Sequence, residues 1–231
     1  MSELLPFVLL AVVIGVAAGF SWYAGEKRRK TLGAWAGTRG LSFSPDREHG
    51  LDDRYPLFDR LRQGSSRYAY NMMRGAWNGR ALQAFDYHYE THSTDSKGRR
   101  RTHHHHFSSI ILDSDVPLKP LFIRPEGFFD KVTEFFGYDD IDFESAEFSR
   151  RFYVKAADKR WAYDVIHQRA MEFLLAGPHF TIQFEPGCVM VCRGSTFQAK
   201  EFEQAIEVAA GLLDRLPDYV IKQQQGNVSH G

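Results

Sequence analysis

Two groups of histidine and carboxylate side chains are the residues of this sequence best suited to chemistry. The first group occupies alternate positions and consists of His88, Glu90 and His92. The second group is consecutive and consists of His103, His104, His105 and His106. Alternate residues of an extended strand share one face, about 6.6 Å apart. If a hairpin closes near Lys97–Gly98, His92 and Glu90 lie opposite His103 and His105.

Imidazole and carboxylate groups are ligands that zinc and similar divalent ions accept. The hairpin therefore offers five candidate ligands for a zinc site: His88, Glu90, His92, His103 and His105. A register shift of one residue would bring His104 and His106 to that face instead. The competing interpretation is an exposed polar hairpin that binds no ion.

The strands that must hold these side chains are predicted by turn chemistry and alternation. Segments 67–77 and 80–92 flank Asn78–Gly79, a pair that favours the two-residue type I′ turn. A third strand over 103–112 completes a meander, and 118–123 is a candidate fourth strand. Strand-like alternation continues over 141–146 and 148–156, and a later hairpin turns at Pro186–Gly187.

Helical spacing predicts the remaining elements. The predicted helices cover residues 26–39, 128–136, 159–176 and 199–216. Strands that come in runs, with helices interrupting late, indicate an α+β fold. We therefore expect a mainly antiparallel sheet packed against two or three helices and preceded by one transmembrane helix.

The transmembrane helix is predicted from residues 4–24, which are twenty-one residues without a charge. As a helix this segment is about 31 Å long, which matches the hydrocarbon thickness of a bilayer. Eleven of its residues are Leu, Ile, Val or Phe. A cleaved secretory signal is the alternative, but the positively charged start of such a signal is missing. A buried helix of a soluble protein is the third interpretation.

Basic residues predict the orientation of this span, because Lys and Arg are retained on the cytoplasmic side. Four of them follow the span, whereas only Glu3 is charged ahead of it: Lys27, Arg28, Arg29 and Lys30. We expect residues 1–3 outside the inner membrane, a juxtamembrane basic helix over 25–40, a cytoplasmic domain over 41–221 and a disordered tail over 222–231.

A second basic group lies in the loop of the histidine hairpin, formed by Lys97, Arg99, Arg100 and Arg101. Near a membrane, such side chains are attracted to anionic lipids of the inner leaflet. We predict that both basic groups face the membrane surface. The alternatives for the loop are recognition of an acidic partner and simple solvation.

Charge and cysteine content exclude other functions. The chain has no formal net charge, and residues 1–30 carry four basic and two acidic side chains, so the remainder has a charge of −2. This argues against nucleic-acid binding, which needs a strongly basic domain. Cys188 and Cys192 fall about 13 Å apart on a strand, too far for a disulfide, and are expected to be reduced thiols in the core.

Landmarks along residues 31–221 share a recognisable pattern: Leu32, Trp35, Gly40, Phe43, Asn71, Gly75, Gly79, Phe85-Asp86-Tyr87, Arg124-Pro125-Glu126, Phe148-Ser149-Arg150-Arg151-Phe152 and Trp161. At these positions the chain resembles an uncharacterised bacterial family of membrane-anchored proteins with a domain of unknown function. The resemblance implies a membrane-tethered cytoplasmic domain and brings no catalytic residues. The histidine run is not part of this pattern.

Catalytic motifs are missing from the sequence. It has no glycine-rich phosphate loop, no G-x-S-x-G elbow and no H-E-x-x-H motif. We therefore expect a non-catalytic, membrane-anchored module whose partners are membrane lipids and either another protein or a second copy of itself. A metal-binding or sensing domain and an unrecognised hydrolase are the alternatives.

Overall fold

The protein folds into a single antiparallel sheet with helices on both faces, as described for residues 5–127 and 141–228 of a computed structural model. The strands are β1 (Ser42–Ser44), β2 (Ser65–Trp77), β3 (Arg80–Thr94), β4 (Arg100–Asp113), β5 (Leu121–Pro125), β6 (Phe152–Ala156), β7 (Thr181–Glu185) and β8 (Cys188–Arg193). The helices are α1 (Leu5–Thr38), α2 (Leu51–Arg54), α3 (Ala146–Arg151), α4 (Lys159–Val165), α5 (Gln168–Ala176), α6 (Ala199–Leu213) and α7 (Asp218–Val228). This arrangement confirms the α+β class.

The eight strands lie in the order β1-β2-β3-β4-β8-β7-β5-β6. The predicted meander is present as β2, β3 and β4. Its first turn is Asn78–Gly79, whose positive φ angles of 51° and 84° are those that a type I′ turn requires. The later hairpin, β7–β8, turns at Pro186–Gly187 as predicted.

Each face of the sheet covers its own core. On one face, α1 and α6 pack on the even-numbered side chains of β3 and β4, such as Leu82 and Ile110. On the other face, α2 and the 3₁₀ turn Asp59–Arg62 cover the odd-numbered side chains, such as Phe85 and Phe107. Cys188 and Cys192 are unbridged and buried in this second core.

Several predicted elements differ from the structure. The segment 141–146 is not a strand, and 146–151 is helix α3, because the Ser145 hydroxyl accepts the N–H of Phe148 as an N-cap. The helix predicted over 159–176 is broken between Val165 and Gln168 into α4 and α5. The fourth strand does not extend the meander, since β8 occupies the free edge of β4.

The two ends of the chain also differ from expectation. Helix α7 continues through Val228, so residues 222–228 are helical rather than a disordered tail. Helix α1 is 34 residues long and joins the predicted span to the basic helix without a break. Among the described residues, no helix is both long enough and apolar enough to cross a membrane. The helix predicted over 128–136 lies outside the described residues.

Candidate functional site on the histidine face of the sheet

The pairing of β3 with β4 decides which histidines meet. His88 lies opposite His106, and Glu90 lies opposite His104. The predicted pairing of Glu90 with His105 is therefore wrong by one residue. The reason is the turn, which spans residues 95–99: the Asp95 carboxylate accepts the backbone N–H groups of Lys97 and Arg99, both at 2.9 Å.

Three side chains converge as a result of this register. The candidate ligand atoms of His88, Glu90 and His104 all lie within 4.8 Å of one another. His88 Nε2 is 3.1 Å from His104 Nδ1, and His104 Nδ1 is 3.4 Å from Glu90 Oε1. His88 is buried, Glu90 is half-buried and His104 is exposed, so the cluster opens to solvent on one side.

The other predicted ligands lie elsewhere. His103 and His105 are on the opposite face of the sheet, where their Nε2 atoms are each 2.8 Å from the hydroxyls of Ser93 and Thr91, respectively. His92 shares the face of His88 but lies beside hydroxyl groups, with Nε2 at 3.3 Å from Ser65 and Nδ1 at 3.2 Å from Thr102. The structure does not bring these three side chains to the cluster.

The protonation pattern of the cluster follows from its hydrogen bonds. His88 Nδ1 is 3.1 Å from the backbone carbonyl of Ser66, which can only accept, so in the neutral ring this nitrogen carries the proton and Nε2 presents a lone pair. Ser66 has a φ of +52° and lies in an irregular part of the β2–β3 pairing, which turns its carbonyl toward the imidazole. His104 Nδ1 therefore lies between two acceptors, the His88 nitrogen and the Glu90 carboxylate.

Two tyrosines of β2 enclose this cluster. The Tyr68 ring stacks on His88 with centroids 4.5 Å apart, and the Tyr70 hydroxyl is 3.1 Å from His106 Nδ1. Burial, reinforced by the Asp86 carboxylate, raises the pKa of Tyr70, so its hydroxyl keeps its proton beside His106. Burial and the neighbouring His88 lower the pKa of His106. The lowered pKa favours the neutral form of His106, and its Nδ1 is already hydrogen-bonded to the Tyr70 hydroxyl.

A buried ion pair, which the sequence did not predict, continues the same face toward the core. Arg28 of α1 donates to both carboxylate oxygens of Asp86, at 2.6 and 2.8 Å, and Asp86 is fully buried. Asn71 and Ser108 donate to the same carboxylate at 2.7 and 2.5 Å. Arg28 also donates to the Phe197 carbonyl, and we call this group of five residues the Asp86 clamp.

The clamp changes the interpretation of the basic residues. Arg28 is committed to Asp86 and is not free to meet lipid, whereas Lys27, Arg29 and Lys30 remain exposed. In the hairpin loop, Lys97, Arg99, Arg100 and Arg101 are all exposed. Among these, Arg99 is paired with Asp95 at 2.9 Å.

The apolar part of α1 leaves the domain at the histidine end of the sheet. Gly33 lies against the Phe43 side chain. Phe43 pairs with Met73 of β2, and Met73 pairs with Ala84 of β3, so Gly33 lies at the level of Ala84 along the sheet. Five residues earlier, Arg28 reaches Asp86, one step closer to His88. Helix α1 is therefore antiparallel to β3, and its N-terminal half points toward the same end of the sheet as the hairpin loop.

Comparison with known proteins supports the fold alone. No protein-family model matches this sequence, and no curated protein matches it. The predicted resemblance to an uncharacterised bacterial family therefore stays a prediction. Among solved structures, the crystal structure of the mycobacterial trehalose monomycolate transport factor A, TtfA, is similar to this chain, with a TM-score of 0.61 and 13% identity over 81% of this chain and 93% of that one. The chain thus shares its fold with a transport factor.

Proposed function

We propose that this protein is a membrane-attached binding or assembly module without catalytic activity. In this proposal the apolar half of α1 inserts into the inner membrane and the sheet domain lies on the cytoplasmic side. The observation that supports it is the division of α1 itself. Leu32 and Ala36 are buried in the domain core, whereas the residues over 12–25 are exposed on all sides of the helix.

The exposed half of α1 has the chemistry of a lipid-facing surface. Its large apolar side chains include Val13 and Phe20, which are 63% and 74% exposed. Leu, Ile, Val and Phe each favour insertion by about 0.3–0.6 kcal/mol. A contiguous apolar surface of this kind on a protein of balanced charge needs a partner. Lipid is the partner that a helix apolar on all sides fits best, since a protein groove would cover only one side.

The clamp supports a role for α1 as a rigid connection. The helix passes from its exposed half into the core without a break, and Arg28 fixes it to the sheet at the boundary. Position and orientation of the domain would follow those of the inserted helix. The module would therefore present a fixed face of its sheet toward or along the membrane, as an assembly factor needs.

The structural neighbour, TtfA, is named as a transport factor for trehalose monomycolate. By analogy of fold, we propose that this module acts beside a membrane-bound protein partner or a second copy of itself. The substrate of TtfA is not carried over to this chain.

Flotation of the full-length protein with uncharged phosphatidylcholine vesicles tests the attachment. We expect the parent protein to float with the vesicles and the variant Val13→Asp/Ile14→Asp to remain in the aqueous fraction, because each buried aspartate costs about 3 kcal/mol at mid-membrane. The matched control is Leu57→Asp, which removes an exposed apolar side chain of the domain and should still float. If the parent protein stays in the aqueous fraction, or the double variant floats equally well, the proposal is wrong.

Cysteine labelling tests the orientation. Both native cysteines are buried, so a cysteine introduced at the exposed Ser96 provides an accessible thiol. We expect a membrane-impermeant maleimide to label Ser96→Cys only after cells are permeabilised. Labelling in intact cells would place the domain outside and overturn the cytoplasmic orientation.

A further inference from the structure

We propose that His88, Glu90 and His104 form an exchangeable site for a borderline transition-metal ion, of which Zn²⁺ is the best fit. The ligand atoms are His88 Nε2, His104 Nδ1 and a carboxylate oxygen of Glu90. This function goes beyond membrane attachment and does not depend on it, since all three residues lie on the β3–β4 hairpin.

Two of the three separations between ligand atoms are close to those of a tetrahedral zinc site, and all three are within 4.8 Å. Zn²⁺ binds imidazole nitrogen and carboxylate oxygen at about 2.0–2.1 Å, so two ligands of a tetrahedron lie about 3.3 Å apart. These two separations are 3.1 Å for His88–His104 and 3.4 Å for His104–Glu90. An ion could enter with only small side-chain movements.

The buried histidine is already oriented as a ligand. Metal-bound histidines characteristically donate their second ring N–H to a carbonyl or carboxylate, which fixes the tautomer. His88 does so toward the Ser66 carbonyl at 3.1 Å, and stacking on Tyr68 holds the ring plane. Its lone pair is therefore directed at the cluster before any ion binds.

The cluster also has more acceptors than donors. The His88 lone pair and the Glu90 carboxylate both face His104 Nδ1, which carries at most one proton. A single N–H cannot satisfy two acceptors fully, whereas one cation can. On binding, the ion displaces that proton and His104 becomes protonated at Nε2, which its exposed position allows.

The donor set selects the class of ion. Two imidazoles and one carboxylate suit Zn²⁺, Cu²⁺, Ni²⁺ or Co²⁺, whereas Ca²⁺ and Mg²⁺ prefer oxygen ligands throughout. Three protein ligands with an open, solvent-facing side leave the fourth position to water or to a group of a partner. We therefore infer an exchangeable ion rather than a closed structural one.

Zinc titration of tag-free, full-length protein in detergent tests this site. We expect one Zn²⁺ per chain with micromolar or tighter affinity and a rise in the melting temperature, and no comparable effect of Mg²⁺. His104→Gln and Glu90→Gln should each weaken zinc binding by at least about 10-fold while the protein remains folded.

The matched control separates this site from the exposed histidine run. His103→Gln changes a neighbouring histidine on the opposite face of the hairpin and should leave the zinc affinity within 2-fold. If His103→Gln weakens binding as much as His104→Gln, the run chelates zinc nonspecifically and the proposed site is wrong. Failure of the parent to bind Zn²⁺ below about 1 mM, or equal binding of Mg²⁺, would likewise overturn it. None of these outcomes depends on whether α1 enters a membrane.

Discussion

Asp86 joins α1 to the sheet through its carboxylate, which binds Arg28. It is fully buried and receives hydrogen bonds from Arg28, Asn71 and Ser108. Breaking a buried ion pair from one side leaves an uncompensated charge, which costs about 3–5 kcal/mol. We therefore expect Asp86→Asn to lower the free energy of unfolding by that amount, as measured by urea denaturation.

An exposed aspartate provides the matched control for this change. Asp214 pairs with Arg80 at 2.7 Å and is 52% exposed, so Asp214→Asn should cost at most about 1 kcal/mol. Equal losses of stability in the two variants would show that Arg28 and Asp86 contribute no more than a surface pair.

Glu185 makes the stability of the protein depend on pH. Burial raises its pKa to about 7, although Gln183 donates a hydrogen bond to it at 2.7 Å. Between pH 4.5 and 7 the unfolded chain releases a proton that the folded protein retains, so stability falls as pH rises, by about 3 kcal/mol in total. Glu185→Gln should remove this decline, and urea denaturation at pH 5 and pH 8 measures it.

A surface glutamate provides the comparison. Glu144→Gln changes an exposed side chain and should leave the difference between pH 5 and pH 8 as it is in the parent. A parent protein whose stability falls no more between pH 5 and pH 8 than that of Glu185→Gln would contradict the prediction.

At the residue scale, the sequence revealed which chemistry was available but not which side chains would meet. The alternation that places His88 and Glu90 on one face is a local property and was predicted correctly from the chain. The choice between His104 and His105 depends on a five-residue turn held by Asp95, and a hairpin register changes face with each residue of loop length. The Asp86 clamp joins residues 58 positions apart, which no local pattern reveals.

At the element scale, the connection between the 3₁₀ turn Asp59–Arg62 and β2 requires a glycine where it passes β3. Gly64 has a φ of +60°, and a Cβ at this position would overlap the carbonyl oxygen of Glu90. Gly64→Ala combines left-handed strain with overpacking, so we expect it to cost about 2 kcal/mol more than strain alone. Gly98→Ala isolates the strain, because Gly98 has a φ of +77° with open space around it.

Thermal unfolding of both glycine variants provides the measurement. Gly98→Ala should be about 1 kcal/mol less stable than the parent, and Gly64→Ala clearly less stable than Gly98→Ala. Similar melting temperatures for the two variants would mean that β3 can move away from residue 64, and that the backbone at Glu90 is not fixed by this packing.

The elements that the sequence predicted well are those with strong local signals. Asn78–Gly79 and Pro186–Gly187 define their hairpins by turn chemistry alone. Helix α3 was missed because a strand and a short capped helix compete for 146–156, and the Ser145 cap decides for helix over the first six residues. The break at residues 166–167 lies within a continuous apolar stripe, so spacing could not reveal it.

At the scale of the whole molecule, two positive surfaces lie at the end from which the apolar half of α1 departs. One is the exposed group Lys27, Arg29 and Lys30, of which Arg29 and Lys30 pair with Glu26. The other is formed by Lys97 in the hairpin loop and by Arg100 and Arg101 at the start of β4. The direction of α1 relative to the sheet was not predictable from the sequence, because it depends on contacts distant in the chain, such as that of Arg28 with Asp86. The proposed membrane attachment therefore predicts that the histidine end of the sheet faces the lipid.

The basic loop should therefore contribute to binding of anionic lipid. Each lysine or arginine near an anionic surface contributes about 1 kcal/mol, so Arg100→Gln/Arg101→Gln should weaken binding to anionic vesicles by about 30-fold. Insertion of α1 would mask this effect, so both proteins should carry Val13→Asp/Ile14→Asp. Vesicle sedimentation then compares this variant with and without the two arginine substitutions. Raising the salt concentration should reduce the difference, since it screens charge.

The control for this prediction lies at the other end of the molecule. Arg169 on α5 and Lys222 on α7 are both exposed. Helix α5 lies near the start of β3, because His167, which precedes it, contacts the carbonyl of Arg215. The adjacent residue, Asp214, pairs with Arg80, the first residue of β3. Arg169→Gln/Lys222→Gln removes the same charge from that end and should leave binding to anionic vesicles nearly unchanged. If both double variants lose affinity equally, the attraction follows net charge rather than orientation, and the histidine end of the sheet does not face the lipid. A selective loss in Arg100→Gln/Arg101→Gln would place the proposed zinc site beside the membrane surface.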